Sequence, residues 1–216
     1  MDFEHLLNLV GDLPVFESAL LLAGNISPQS VRLQLSRWSK SGRVYQLRRG
    51  LYAIAPPYQK VKPHPFVIAN LMQRASYVSL QSALAFHGLI PDTVYVTLSI
   101  TTSRPERWET PLGDFEFRHI KRELLHGYRM MELQSLKPAQ QALVAMPEKA
   151  LLDLVYLQPG GDEPNYLTEL RLQNLDRLDM EELYRQAELF NSPKLLRAAD
   201  VVAHLTQNEA QEYEPL

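Results

Sequence analysis

Between Ser18 and Pro91 lie nine basic side chains, Arg32, Arg37, Lys40, Arg43, Arg48, Arg49, Lys60, Lys62 and Arg74, with no Asp or Glu among them. Cations with no carboxylate nearby in the sequence seek a counter-charge elsewhere, and phosphate suits them well because arginine's fork of donors matches its oxygens. The flanks have the opposite sign. Residues 92–216 carry 21 acids against 13 bases, and residues 1–17 carry four acids and no Lys or Arg. A formal net charge of −3 hides this polarity, which points to a polyanion as the partner of the basic segment.

Helix signals surround the first of these cations. Asp2 is placed to cap FEHLLNLV, and Pro14 opens a second expected helix, PVFESALLLAG, ending at Gly24-Asn25. A third, PQSVRLQLSRWSKSG, has Ser27 as N-cap, Pro28 at its first position and Gly42 just past its end. Val31, Leu35 and Trp38 follow at i, i+4 and i+7, an apolar stripe to be buried against the other helices. The opposite face collects Gln29, Arg32, Ser36 and Lys40, with Arg37 at its edge. Amides and hydroxyls can bond base edges and cations can bond phosphates, so this is the chemistry of a recognition helix. Leu33 interrupts the polar face, either as a core residue of the turn or as an apolar contact for a thymine methyl.

The runs RVYQLR and LYAI then flank Arg49-Gly50, a hairpin signal in which glycine supplies the positive φ of a tight turn. Arg43 stands at the start of this hairpin and Arg48 and Arg49 at its tip. Helix, helical turn, longer helix and hairpin is the order of a winged helix-turn-helix. Residues 1–57 are therefore expected to form such a domain and to bind double-stranded DNA, with phosphates neutralising the arginines of the wing.

Residues 58–65, YQKVKPHP, read as a stiff, extended, proline-rich linker. Beyond it, PFVIANLMQ and SLQSALAFHGLIP read as helices, the second capped by Ser79. TVYVTLSITTS, GDFEFRHI and YRMMEL read as strands. Helices are expected again from Pro147, from the Asp179/Glu182 capping box and from Ser192-Pro193. The expected fold class is α+β, with a mixed α/β second domain over residues 66–216 that ends in helices.

Catalytic patterns are absent from the sequence. No Cys is present, so thiolate nucleophiles and thiolate metal sites are excluded. The histidines show no HxxxH or HxH spacing, and no phosphate-binding or nucleophile-elbow motif occurs. Glu148, Lys149 and Asp153 suggest a carboxylate–lysine site, but Glu148 and Asp153 stand roughly 140° apart in helical projection, so the three are not expected to converge on one face. Ser79, Ser82 and His87 are close in sequence, yet a helix cap accounts for Ser79. No catalytic residue, metal ligand or cofactor site is assigned. The acidic first seventeen residues do not resemble a secretory leader, and the longest uncharged stretch, Ala75 to Pro91, is too short and polar to span a bilayer, so a cytoplasmic location without membrane contact is expected.

Three blocks in order, YVSLQSALAFHGLIPD, HGYRMM and AMPEKALLDLVYL, preceded by LRRGLYAI, resemble the AbiEi family of antitoxins from type IV, abortive-infection toxin–antitoxin systems. The resemblance runs from about Val31 to Leu157. It implies an N-terminal domain that binds inverted repeats in the promoter of its own operon and represses it, and a C-terminal domain that opposes a cognate nucleotidyltransferase toxin. Carried onto this chain, it makes Gln29, Ser30, Arg32, Ser36, Arg37 and Lys40 of the helix, and Arg48 and Arg49 of the wing, the DNA contacts. A departure is the acidic character of residues 92–216, where many members of the family are basic; this leaves room for a protein partner there. Two other classes stay open from the residues alone: a transcriptional regulator with a ligand-sensing or dimerising C-terminal domain and no toxin, and a nuclease-like enzyme.

Overall fold

The computed structural model describes residues 1–22, 26–133 and 138–212. Among these residues the chain is mixed α and β, with eight α-helices and two sheets. The first helix, α1 (Phe3–Val10), is capped by Asp2, whose Oδ1 accepts from the His5 amide at 2.8 Å. The helix expected from Pro14 does not form. Phe16–Glu17 is instead a short strand, β1, followed by a 3-10 turn over Ser18–Leu22. Pairing across the chain overrides the local helix signal, since Phe16 and Glu17 lie opposite Tyr52 and Leu51. The expected stop at Gly24-Asn25 lies outside the described residues.

Helix α2 (Pro28–Lys40) begins as its punctuation predicts, with Ser27 Oγ accepting from the Ser30 amide. Val31, Leu35 and Trp38 are buried with Leu6 and Val10 of α1, whereas Leu33 points to solvent and is no part of the core. The hairpin of β2 (Val44–Arg48) and β3 (Leu51–Ile54) turns at Arg49-Gly50, with Gly50 at φ +83. The three-stranded sheet is ordered β1-β3-β2. A register shift between Gln46 and Arg48 leaves Leu47 unpaired, and its side chain is buried in the larger core beyond the hairpin rather than in the small one beneath it. A bulge re-aims a side chain in this way because two residues occupy the place of one.

The following chain contains α3 (Pro65–Met72), β4 (Ser76–Val78), α4 (Leu80–Phe86), β5 (Val96–Thr101), β6 (Glu106–Thr110), β7 (Gly113–His119), β8 (Tyr128–Leu133) and β9 (Gln140–Ala145). It closes with α5 (Pro147–Leu157), α6 (Pro164–Glu169), α7 (Met180–Leu189) and α8 (Pro193–Glu212). The six-stranded sheet is ordered β6-β7-β5-β4-β9-β8; β4–β9 and β5–β7 are parallel, and the other pairs antiparallel. Strands β4, β6 and β9 have no counterpart in the sequence-based expectations.

Between the two sheets the chain is held at several points. Val61 and Pro63 are buried. Gln140 of β9 clamps the segment, its amide donating to the Lys62 carbonyl at 2.8 Å while its oxygen accepts from the His64 amide at 3.0 Å. His64 Nδ1 in turn accepts from the Phe66 amide and caps α3. Val15, Leu47, Leu51 and Ala53 belong to the same apolar cluster as Ile68, Met72 and Tyr77, so the small sheet and the large one share a core.

The orientation of α2 can be tested by stability. Leu35→Ala should cost about 2–5 kcal/mol, as for other buried leucines, whereas Leu33→Ala should stay within about 0.5 kcal/mol. Urea denaturation followed by circular dichroism measures both, and equal destabilisation would mean that α2 does not bury this face.

Candidate nucleic-acid interface

The face of α2 turned away from the core presents Gln29, Ser30, Arg32, Ser36, Arg37 and Lys40, all exposed. Ser30 is partly committed, because its hydroxyl accepts a hydrogen bond from Ser27 Oγ at 2.8 Å. Among the described residues no carboxylate pairs with Arg32, Arg37, Lys40, Arg43 or Arg49. Lys60 and Arg74, from the same basic segment, are matched internally, to Asp12 at 3.3 Å and to Glu17 at 2.9 Å. Asp12 and Glu17 thus neutralise two cations away from α2, and those on α2 are left unpaired among the described residues. Exposed pairs of this kind add little stability, so their main consequence is where free positive charge remains.

Arg43 is exposed and lies over the Phe3 ring of α1, 5.1 Å from its centroid. Phe3 also packs edge-on against Trp38 and Tyr58, so an aromatic base fixes the position of this guanidinium next to the end of α2. Stacking of this type holds the charge in place without neutralising it.

Arg48 departs from its expected place at the hairpin tip. Its guanidinium turns back along the molecule, donating to the Arg49 carbonyl at 2.9 Å and to the Leu71 carbonyl at the end of α3 at 3.1 Å. The carbonyls at a helix end lack intrahelical partners and carry partial negative charge, which draws the cation inward. Arg49 alone stays exposed at the tip.

A second polar group lies in the large core, where the sequence predicts no convergence. Lys149 and Asp153 are one helical turn apart on α5 and form a fully buried ion pair. The 140° separation of Glu148 from Asp153 holds, but the i,i+4 spacing of Lys149 and Asp153 places those two on one face. Asp153 Oδ2 also accepts from Tyr77 Oη at 2.9 Å and from Ser79 Oγ at 2.8 Å. Ser79 makes no side-chain cap bond to α4, contrary to the sequence-based expectation; its hydroxyl serves Asp153 instead. The Lys149 ammonium lies 4.4 Å from the centre of the Phe190 ring. Glu148 is buried separately and accepts from the Asp179 amide at the start of α7.

Burial pushes the Lys149 ammonium below its usual range, opposed by the charge of Asp153. It pushes the Asp153 carboxyl up, opposed by Lys149, Ser79 and Tyr77. Burial and the adjacent carboxylate also raise the Tyr77 phenol. Ser79, Lys149 and Asp153 have no exposed surface, so the group as folded offers no path for a substrate. His87, near Ser79 in sequence, has Nε2 hydrogen-bonded to the Ala145 carbonyl at 2.8 Å, so that ring nitrogen is committed away from Ser79. Among the described residues no cluster of three His, Asp or Glu is arranged to hold a metal ion, and no helix is long and apolar enough to cross a membrane.

No protein-family model matches this chain, and no curated protein matches it significantly. The function must be sought in the residues themselves.

Removing one partner of a buried ion pair strands the other charge and costs about 3–5 kcal/mol, whereas replacing both with apolar groups of similar volume is often neutral. Lys149→Met or Asp153→Leu alone should therefore destabilise strongly, and the double variant should be less destabilised than the sum of the two, the residual cost coming from the Tyr77 and Ser79 hydroxyls that lose their acceptor. Chemical denaturation of the three variants tests this; additive destabilisation would contradict a coupled pair.

Proposed function

We propose that this chain is a regulator of its own operon that binds duplex DNA through α2 and the β2–β3 hairpin, and that it is the antitoxin of a type IV toxin–antitoxin system directed against a nucleotidyltransferase toxin. The observation that carries the DNA-binding part is the exposed face of α2, where Gln29, Arg32, Ser36, Arg37 and Lys40 have no carboxylate partner among the described residues while Val31, Leu35 and Trp38 anchor its back. The helix, turn, helix and hairpin order favours a winged helix-turn-helix arrangement, with a 3-10 turn in the place of the middle helix. The antitoxin part rests on the resemblance of the YVSLQSALAFHGLIPD, HGYRMM and AMPEKALLDLVYL blocks, preceded by LRRGLYAI, to AbiEi proteins.

In this reading Arg32, Arg37, Lys40 and Arg43 neutralise phosphates flanking a major groove, Gln29 and Ser36 reach base edges, and Arg49 holds the backbone beside the hairpin. Ser30 contributes a hydroxyl near the helix start, where orphan amides also favour phosphate. Arg48 acts indirectly, by fixing the hairpin against α3. The acidic residues beyond Asp92 repel DNA and direct it towards the basic face.

Binding is tested by titrating salt with a duplex taken from upstream of the reading frame and with a scrambled duplex. Wild type should prefer the upstream duplex and show a steep negative salt dependence. Arg37→Ala with Lys40→Ala should weaken binding to both duplexes and flatten the log–log slope by roughly one for each phosphate no longer neutralised. Equal, weak binding of wild type to both duplexes would refute promoter recognition. The antitoxin role is tested by co-expression with a nucleotidyltransferase encoded in an adjacent frame: growth should be restored by wild type, and failure to restore it would remove this role while leaving DNA binding intact.

A further inference from the structure

Where the hairpin meets the edge of the large sheet there is an open cleft of about 500 Å³, lined by Arg48, Arg49, Met72, Gln73, Glu106 and Trp108 among others. Two of the described buried polar atoms that lack a hydrogen-bond partner belong to its lining, Arg48 Nε and Gln73 Oε1. One is a donor on a cation and the other a neutral acceptor. A buried polar group without a protein partner is costly and rare in a folded protein, and these two lie at the same cleft.

The remaining interactions define what would fit there. Arg48 cannot swing freely, because both its terminal nitrogens are engaged, with the Arg49 and Leu71 carbonyls. Arg49 beside it is exposed and has no ion-pair partner among the described residues, so this side of the cleft favours an anion. Across from it, Glu106 Oε2 accepts from Gln73 Nε2 at 2.9 Å and from Trp108 Nε1 at 3.1 Å. These bonds hold the half-buried indole ring in a fixed position and leave Gln73 Oε1, together with Glu106 Oε1, as acceptors for N–H groups. One held and one exposed guanidinium, an aromatic surface and acceptors for N–H groups together match a phosphate, a flat ring and its amino or imino edge.

We propose that this cleft binds a nucleoside phosphate, with the phosphate on Arg48 and Arg49, the base against Trp108, and the base edge on Gln73 and Glu106. The volume lies within the range of small-ligand sites, and an aromatic side chain is a good platform for any base. Since the cleft is built jointly from the β2–β3 hairpin, the end of α3 and the β6 edge, an occupant would tie the hairpin to the large sheet. That coupling to DNA rests on the function proposed above, but the binding itself does not and is measured without DNA.

The chain has two tryptophans, Trp38 and Trp108. Trp38 is buried in the small core, so quenching at Trp108 reports on the cleft. Titration with AMP, CMP and GMP, by tryptophan fluorescence and calorimetry, should give saturable binding of at least one of them, with adenosine, cytidine, guanosine and inorganic phosphate each weaker by about tenfold or more, the equivalent of one charge-assisted hydrogen bond. Trp108→Phe should abolish the fluorescence change. Arg49→Ala, at an exposed position, and Gln73→Leu should each weaken calorimetric binding by about tenfold, with unchanged far-UV circular dichroism showing that both variants are folded. Absence of saturable binding to all three nucleotides, or wild-type binding by both Arg49→Ala and Gln73→Leu, would overturn the proposal. Displacement of the mononucleotide by a single-stranded oligonucleotide would assign the cleft to nucleotides of a DNA strand, and retention would assign it to free nucleotides; binding confined to inorganic phosphate would overturn it.

Discussion

Asp153 is a carboxylate with no access to water, and the strand, turn and helix around it are arranged so as to satisfy it. Its partners come from three places: Lys149 one turn earlier on α5, Tyr77 within the central strand β4, and Ser79 at the junction of β4 and α4. An isolated buried charge would be prohibitive, and a buried pair is tolerated only with good geometry and additional donors. The requirement therefore positions α5 on β4 in one register and fixes the turn from strand to helix, where Leu80 adopts a positive φ of 56°. Gly127, just before β8, also depends on this pair. A Cβ there would lie 2.9 Å from Lys149 Cγ, so the lysine stem passes where only glycine leaves room.

Around this centre the two sheets are joined by apolar packing and by a few polar clamps. The bulge that releases Leu47 from the hairpin ladder sends it into the large core, and Arg48 follows by bonding to the end of α3. The result is a hairpin that belongs to both halves. Its inner residues are tied to the large sheet, while α2, on the other side of the small core, keeps its polar face unencumbered.

The distribution of charge acquires a more definite meaning in three dimensions. Nine cations in an acid-free stretch need not all be available to a partner. Lys60 and Arg74 are matched by Asp12 and Glu17 from the first seventeen residues, and Arg48 is drawn to helix-end and turn carbonyls. Apart from Lys62, what remains lies on α2, at the base of the hairpin and at its tip, which is a narrower and better-defined surface than composition implies.

Local chemistry written into short stretches was legible from the sequence alone: the Asp2, Ser27 and Asp179 caps, the proline starts of α2, α3, α5 and α8, the Val31, Leu35 and Trp38 stripe, and the glycine turn of the hairpin. These depend on bonds and periodicity within a few residues, so they survive without knowledge of the fold. Strand β1, read as helix, and the short strands β4, β6 and β9 were not legible, because a strand of two to six residues is defined by a distant partner rather than by its own pattern. The same limit hid the polar group at Asp153, whose ligands Tyr77 and Ser79 lie more than seventy positions away, and the cleft beneath Arg48, whose walls come from the hairpin, α3 and β6. Residue types and local spacing determined which groups carry charge and which faces are apolar; only tertiary structure decided which of those groups meet, because burial and long-range pairing assign partners that sequence proximity does not.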